Sequence, residues 1–135
     1  MSIIGIGGIF FRSPDPDNLQ RWYKEHLAIN NVMHWIDFQS TPQYTVWNVF
    51  AEKSKLFKDS PKSLIINYIV DNLNAVLERL KHAGVHSTGD IDEDENGAFA
   101  YIIDPERNKV ILWEPSGRPL APTSVIAEKV TGLGG

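Results

Sequence analysis

The sequence contains no cysteine, so disulfides, thiolate zinc sites and cysteine nucleophiles are excluded. It also lacks any uninterrupted apolar run near the roughly 20 residues that a membrane-spanning helix requires. Basic residues are in deficit, with 13 Lys and Arg against 17 Asp and Glu, which argues against nucleic acid or an anionic membrane as a partner. The first residues have neither the basic nor the long apolar segment of a signal peptide, and we expect a cytoplasmic protein.

The residues that are present suffice for one hydrophobic core. The chain has 135 residues, of which 42% are hydrophobic, with 4 Trp, 4 Tyr and 6 Phe to fill an interior. This length favours a single domain, which we place at residues 1–115. The remaining stretch, 116–135, carries Pro119, Pro122 and a glycine-rich end, and we expect it to be an ordered tail only where it packs on something.

Two halves of the chain repeat one order of predicted elements. The first half reads as a strand at 3–12, a helix that starts at Asp15-Pro16, and strands at 31–38 and 44–51. The second half reads as a strand at 63–70, a helix capped by Asp71 or Asn72 that ends near Gly84, and strands at 85–91, 98–103 and 109–114. A lysine- and aspartate-rich connection at 53–62 joins the halves and is expected to be a solvated loop.

This order predicts an α+β fold made of two βαβββ-type modules, at about 3–52 and 63–115. Their curved mixed sheets would surround a cleft, with the helices on the outside. The first module offers one strand fewer than the second. Element order alone also permits a ferredoxin-like fold.

Three segments resemble the vicinal oxygen chelate superfamily, the glyoxalase and bleomycin-resistance group. They are Ile6–Ile29, Ile66–Val85 and DPERNKVILWEP at Asp104–Pro115, the last being close to the family's Asp-Pro-x-Gly-Asn turn and the strand that follows it. The resemblance implies two modules around a central cleft, commonly in a homodimer. It also implies a divalent metal held by one side chain from each of four strands.

The four positions that correspond to those metal ligands lack suitable donor atoms. They fall on Gly8 (or Gly7), Thr45, Ile65 and Ile111. Glycine and isoleucine side chains carry no donor, and threonine is a poor ligand by itself. We expect the four histidines to be structural or surface residues, and the acidic run that starts at Asp90 lacks the glycine at position six and the glutamate at position twelve of an EF-hand loop. We therefore expect no metal and no other cofactor.

Strand alternation places other side chains beside those four positions. On this interpretation the ligand-binding residues are Phe10, Arg12, Thr45, Trp47, Asn67 and Trp113. The aromatic rings would supply stacking area, and Arg12 would favour a carboxylate or another anionic group. The same aromatics are equally typical of a core, and Arg12 and Asn67 equally suit structural hydrogen bonds.

The function that the sequence favours is the binding of a small organic molecule in an aromatic cleft, where Arg12 would favour an anionic ligand. One alternative is a metal-dependent lyase, isomerase or dioxygenase of the same superfamily, with ligands that these positions do not reveal. Another is a dimerising module that binds no small molecule. The sequence identifies no catalytic residue.

Overall fold

A computed structural model of the protein describes residues 3–27, 32–36 and 42–117. In this part of the chain the first module consists of β1 (Ile3–Ser13), α1 (Pro16–Leu27), β2 (Val32–Ile36) and β3 (Pro42–Ala51). The second consists of β4 (Leu64–Val70), α2 (Leu73–His82), β5 (Asp92–Asp94), β6 (Gly97–Ile103) and β7 (Lys109–Pro115). A short 3₁₀ helix, Lys55–Phe57, lies between the modules. The predicted tail lies outside the described residues from position 118 onward.

The helices begin where the sequence predicted. The Asp15 carboxylate accepts a hydrogen bond from the Asn18 backbone N–H at 3.2 Å, and the Asn72 amide oxygen accepts one from the Ala75 N–H at 3.0 Å. Both are N-caps, which satisfy backbone donors that a helix start leaves free. Helix α2 ends before Gly84, whose φ of +85° suits glycine. Neither described helix is long and apolar enough to cross a membrane.

The seven described strands form one curled mixed sheet in the order β2-β3-β1-β4-β7-β6-β5. In each module the first strand pairs in parallel with the last, β1 with β3 and β4 with β7. The antiparallel pair of β1 and β4 joins the two modules at the centre of the sheet. The predicted α+β architecture is confirmed, with three strands described in the first module and four in the second.

The two faces of the sheet carry different apolar clusters. On the helix face, Leu73 and Val76 of α2 pack against Val70, Ala100 and Leu112. The opposite side, which we call the inner face, carries a cluster of buried strand side chains together with two residues of the 3₁₀ helix. These are Phe10, Val46, Phe50, Ile65, Ile69, Phe99, Tyr101, Ile111 and Trp113 from the strands, and Leu56 and Phe57 from the 3₁₀ helix.

Two predictions about the connections are wrong. Residues 85–91 form no strand, because Val85 N–H closes the end of α2 on the Leu80 carbonyl and Gly89 adopts a φ of +69°. The strand in this region is β5, three residues long. The connection at 53–62 is not simply a solvated loop either, since Leu56 and Phe57 are buried on the inner face.

The turn before β7 lies at Asp104–Asn108, where the sequence predicted it. The Asp104 carboxylate accepts hydrogen bonds from the Glu106 and Asn108 backbone N–H groups at 2.9 and 2.8 Å, and from the Asn108 side chain at 2.8 Å. These bonds stabilise the charged form and hold the pKa of Asp104 below its ordinary value. Arg107 adopts a φ of +70°, the left-handed region, where the resembling family has glycine.

Candidate functional site

The candidate site is a row of residues, one from each of five neighbouring strands, that crosses the inner face. Paired Cα atoms connect Val46 to Gly8, Gly8 to Asn67, Asn67 to Ile111, and Ile111 to Tyr101. We call these five residues the central row. Asn67 occupies its middle, between the glycine and the isoleucine that stand at two of the four expected metal positions.

Asn67 is the polar residue at the centre of this row and is completely buried, with 0% exposure. Neither its amide oxygen nor its amide nitrogen has a hydrogen-bond partner among the described residues. Because a buried amide without partners loses the hydrogen bonds it would make to water, such a group costs about 1–3 kcal/mol. Ile65 lies two residues earlier on the same strand and face, also fully buried.

The strand pairing indicates that the residue of β3 at the expected metal position is Asn48 and not Thr45. Phe10 and Asn67 are equivalent in the two modules, since each precedes its helix N-cap by the same number of residues. Asn67 pairs with Ile111, and Phe10 pairs with Asn48. Asn48 is therefore the counterpart of Ile111. Its amide oxygen accepts hydrogen bonds of 2.9 Å from Gln20 Nε2 and from the Val49 backbone N–H.

The donor set at the four positions does not fit a divalent metal. With the corrected register they hold Gly8, Asn48, Ile65 and Ile111, of which only Asn48 has a side-chain donor atom. A stable divalent site needs several oxygen, nitrogen or sulfur ligands. In the described residues no group of three or more His, Asp or Glu side chains is arranged to hold a metal ion.

Thr45 and Trp47 lie on the opposite face from the other predicted site residues. Val46 and Phe50 belong to the inner-face cluster, so alternation along β3 turns Trp47 toward the helix face. There its ring packs edge-on against Phe11, with centroids 6.0 Å apart. The Thr45 hydroxyl donates to the Ile6 carbonyl at 2.7 Å. The expectation that Trp47 and Trp113 line one cavity with Asn67 is therefore wrong.

Phe10, Arg12 and Trp113 do share the inner face with Asn67. Phe10 packs edge-on against Phe50 at 5.3 Å, and the Arg12 guanidinium lies 5.6 Å from the centre of the Phe57 ring. Trp113 stacks on Phe99 at 5.7 Å with an interplanar angle of 7°. Its indole N–H donates to the Asn96 carbonyl at 2.8 Å, so the polar end of the indole is already satisfied.

The connection between the modules covers part of this face. Leu56 and Phe57 are buried in the inner-face cluster, and the Phe57 ring lies 6.1 Å from that of Phe50. The Ser54 hydroxyl accepts from the Leu56 N–H, and the Ser63 carbonyl accepts from the Arg12 N–H, which fixes both ends of the crossing. We call residues 52–63 the cover segment. The cover segment therefore lies against part of the inner face, where the sequence predicted a cleft.

A cavity of about 420 Å³ opens at the rim of the inner face, beside the cover segment. We call it the rim cavity, and it is lined by Lys55, Leu56, Lys58, Asp59, Thr88, Gly89, Asp90, Asp92, Tyr101 and Lys109. Tyr101 also ends the central row, and its hydroxyl donates to the Asp92 carboxylate at 2.5 Å. Sequence reasoning missed Lys109, although alternation from Ile111 places it on the inner face.

A second cavity, of about 530 Å³, lies on the other side of the sheet. Phe11, Leu64, Ile66, Tyr68 and Val110 supply its apolar wall. None of the predicted ligand-binding residues lines it. The inner face therefore holds the candidate site.

Solved structures of other proteins share this fold. Methylmalonyl-CoA epimerase from Mycobacterium tuberculosis superposes with a TM-score of 0.62 at 18% identity, over 84% of this chain and 89% of that one. A variant of the Streptomyces coelicolor epimerase, in complex with 2-nitronate-propionyl-CoA, gives 0.60 at 13% identity, over 88% and 100% of the two chains. An uncharacterized protein from Methanosarcina mazei gives 0.60 at 17% identity, over 89% and 98%.

No protein-family model and no curated protein sequence matches the chain. The structural likeness stands at low sequence identity and therefore concerns the fold. Methylmalonyl-CoA epimerase is a member of the vicinal oxygen chelate superfamily. The chain thus has the glyoxalase-like fold that its resemblance to that superfamily predicted.

Proposed function

We propose that this protein binds a small organic molecule on the inner face, with Asn67 as a polar contact and without a divalent metal. The observation that carries the proposal is the Asn67 amide, which is fully buried at the centre of the sheet and whose two polar atoms have no partner among the described residues. Buried polar groups nearly always have partners, and an exception in a folded protein calls for an explanation. A ligand that accepts from the amide nitrogen and donates to the amide oxygen supplies one.

The surroundings of Asn67 suit an organic group better than a cation. Its neighbours in the central row are a glycine and an isoleucine, so no charged side chain is present to neutralise a metal ion. The rings of Phe10 and Trp113 lie on the same face and offer apolar contact area. Ligand pockets typically combine such apolar walls with a few oriented polar groups.

Entry to this site requires movement of the cover segment. Leu56 belongs to the inner-face cluster and also lines the rim cavity, so it separates the cavity from the interior. Displacing Leu56 would open a path from the rim cavity to the inner face. The segment is held at the centre by two apolar side chains of a single 3₁₀ turn, a small contact compared with that of a full helix.

Three measurements test the proposal together. Elemental analysis of protein purified without chelator should find less than stoichiometric divalent metal. A thermal-shift panel of small carboxylic acids and coenzyme A thioesters should raise the melting temperature with at least one compound. Trp113→Phe should weaken that response, whereas Trp47→Phe, on the opposite face, should leave it unchanged.

Two results would contradict the proposal. One is a stoichiometric metal whose removal abolishes ligand binding. The other is a ligand response that falls equally in the Trp47 and Trp113 variants, because the inner face would then have no special role.

An isomerase acting on a coenzyme A thioester is the second candidate function. The observation that favours it is the likeness to methylmalonyl-CoA epimerases, one of them in complex with methylmalonyl-CoA. The central row contains no carboxylate or imidazole to move a proton, which weighs against it. Solvent deuterium exchange at the α-carbon of methylmalonyl-CoA, catalysed by the purified protein, would decide for this alternative.

A further inference from the structure

Lys109 is a buried cation that has no ion-pair partner among residues 3–27, 32–36 and 42–117. It lies in β7, two residues before Ile111 and on the same face, and is only 7% exposed. Its ammonium donates to the Lys58 carbonyl at 3.0 Å and lies 4.9 Å from the centre of the Tyr101 ring. No described carboxylate forms an ion pair with it.

The absence of a paired anion is costly for this group. Withdrawing an ammonium from water is unfavourable unless an opposite charge and hydrogen bonds compensate. Burial accordingly lowers the pKa of Lys109 below its ordinary value of 10.5, and the nearby charge of Lys58 lowers it further. The carboxylates of Asp59 and Asp92 oppose this decrease without cancelling it.

The ammonium faces a cavity large enough to admit the missing partner. Lys109 lines the rim cavity, whose volume of about 420 Å³ lies in the ordinary range of small-molecule pockets. Tyr101 forms the neighbouring wall, and the bond from its hydroxyl to Asp92 holds the ring in place beneath the ammonium. Of the three hydrogens on the ammonium, the Lys58 carbonyl takes one, which leaves donors for a ligand.

We propose that the rim cavity binds the carboxylate of a monoanionic small molecule on the ammonium of Lys109. The charges of the lining favour a ligand with one negative charge over a ligand with two. The three aspartates, Asp59, Asp90 and Asp92, balance the three lysines, so the lining has no surplus positive charge for a second negative charge on the ligand. A phosphate dianion would meet more repulsion there than a carboxylate. This inference rests on the proposed function, since it names the charged end of the same ligand, whose body would reach from the rim toward Asn67.

Small carboxylates alone can test the charged end. The measurement is the melting temperature of the whole protein with acetate, propionate or pyruvate, compared with acetamide and with sodium chloride at equal ionic strength. Variants are Lys109→Met, which keeps the apolar stem, and Lys81→Met as the matched control. Lys81 is exposed on α2 and lines neither of the two cavities, so its substitution removes a lysine charge without touching the rim.

We expect carboxylates, but not acetamide or chloride, to stabilise the wild type and the Lys81 variant, with at least tenfold weaker apparent binding to the Lys109 variant. NMR titration of the Lys109 ammonium in the wild type is the second readout, and it remains valid if the Lys109 variant fails to fold. Carboxylate binding should raise the pKa of the Lys109 ammonium. The charged groups that line the cavity around it are Lys55, Lys58, Asp59, Asp90 and Asp92. A carboxylate response that survives in the Lys109 variant would overturn the inference, as would an unchanged pKa.

Failure of this inference can be told apart from failure of the proposed function. If Lys109 is irrelevant but Trp113→Phe still weakens the binding of a larger ligand, the inner-face site stands and its ligand is not anchored at the rim. If carboxylates bind Lys109 while no inner-face variant affects any ligand, the rim site stands alone.

Discussion

Replacing Asn67 by leucine should make the protein more stable. The side chains are similar in size, and leucine carries no group that needs a hydrogen bond. The amide has 0% exposure and neither of its polar atoms has a partner in the described part of the chain, so its removal relieves a penalty of about 1–3 kcal/mol. Unfolding entropies of about 2.1 cal/mol/K per residue translate this, for 135 residues, into a melting temperature higher by roughly 3–10 °C.

Asn48 provides a matched control for this substitution. It is the same residue type, it is equally buried, and its amide oxygen accepts hydrogen bonds from Gln20 Nε2 and the Val49 N–H. Asn48→Leu removes both bonds and leaves their donors without this acceptor, so it should destabilise the protein by about 1–3 kcal/mol. Urea unfolding of the wild type and both variants measures the two effects on one scale.

The two asparagines should therefore respond with opposite signs. If Asn67→Leu destabilises the protein as much as Asn48→Leu does, the Asn67 amide is satisfied in solution and cannot be the open contact that we propose. A stabilised Asn67 variant that still responds to ligand like the wild type would separate the two claims. The amide would then be a cost to folding without being a contact for the ligand.

Three further predictions follow from the packing, the buried charge and the expected assembly. Gly7→Ala places a Cβ 2.6 Å from Trp113 Cε3 and 2.9 Å from Ile69 Cγ1. Denaturant unfolding should therefore show that the free energy of unfolding falls by about 1–3 kcal/mol. A decrease of less than about 0.5 kcal/mol would contradict such close packing at Gly7. The folded-state pKa of Lys109 lies below its unfolded value of 10.5, so the unfolded chain binds more protons between the two values. The free energy of unfolding of the wild type, relative to that of the Lys109→Met variant, should accordingly rise as the pH increases toward 10.5. Urea unfolding of both proteins across this pH range measures it, and an equal pH dependence in the two proteins would refute the prediction. Sedimentation at micromolar concentration should give a homodimer, twice the 15.2 kDa chain mass, and a monomer would overturn that expectation.

The sequence predicted best where a local signal fixes a position. Asp15 and Asn72 cap the two helices by bonds to residues three positions along, and the Asp104 turn fixes where β7 begins. Once that turn is placed, alternation puts Ile111 and Trp113 on one face, and both belong to the inner-face cluster. The same alternation, applied to Lys109, would have found the rim cavity's buried cation.

Prediction failed where no local signal sets the register. No turn comparable to that at Asp104 precedes β3 in the sequence, so the sequence could not decide which residue pairs with Phe10. The error was three residues, from Thr45 to Asn48, and an odd shift reverses every side chain of a strand. Trp47 offered no help, because an indole suits either face of a sheet that is apolar on both sides.

The cover segment was missed for a different reason. Its lysines and aspartates are typical of a solvated loop, and only the adjacent pair Leu56 and Phe57 breaks the pattern. Whether such a pair faces solvent or a sheet depends on where the connection runs in space. That path is set by the positions of the ends of β3 and β4. The composition of the cover segment does not reveal those positions.

The proposed absence of a metal and the covering of the inner face would have one physical cause. A divalent cation with its ligands needs a polar, accessible pocket, whereas Ile65 and Ile111 belong to the apolar cluster that also contains Leu56 and Phe57. Any molecule that reaches Asn67 must therefore offset the apolar contacts of the cover segment, roughly 25 cal/mol for each Å² of surface exposed. If the proposed carboxylate binds at the rim, its pairing with Lys109 would offset part of that cost. In this proposal Lys109 and Asn67 mark the two ends of one ligand path, from charge recognition at the rim to the polar contact within.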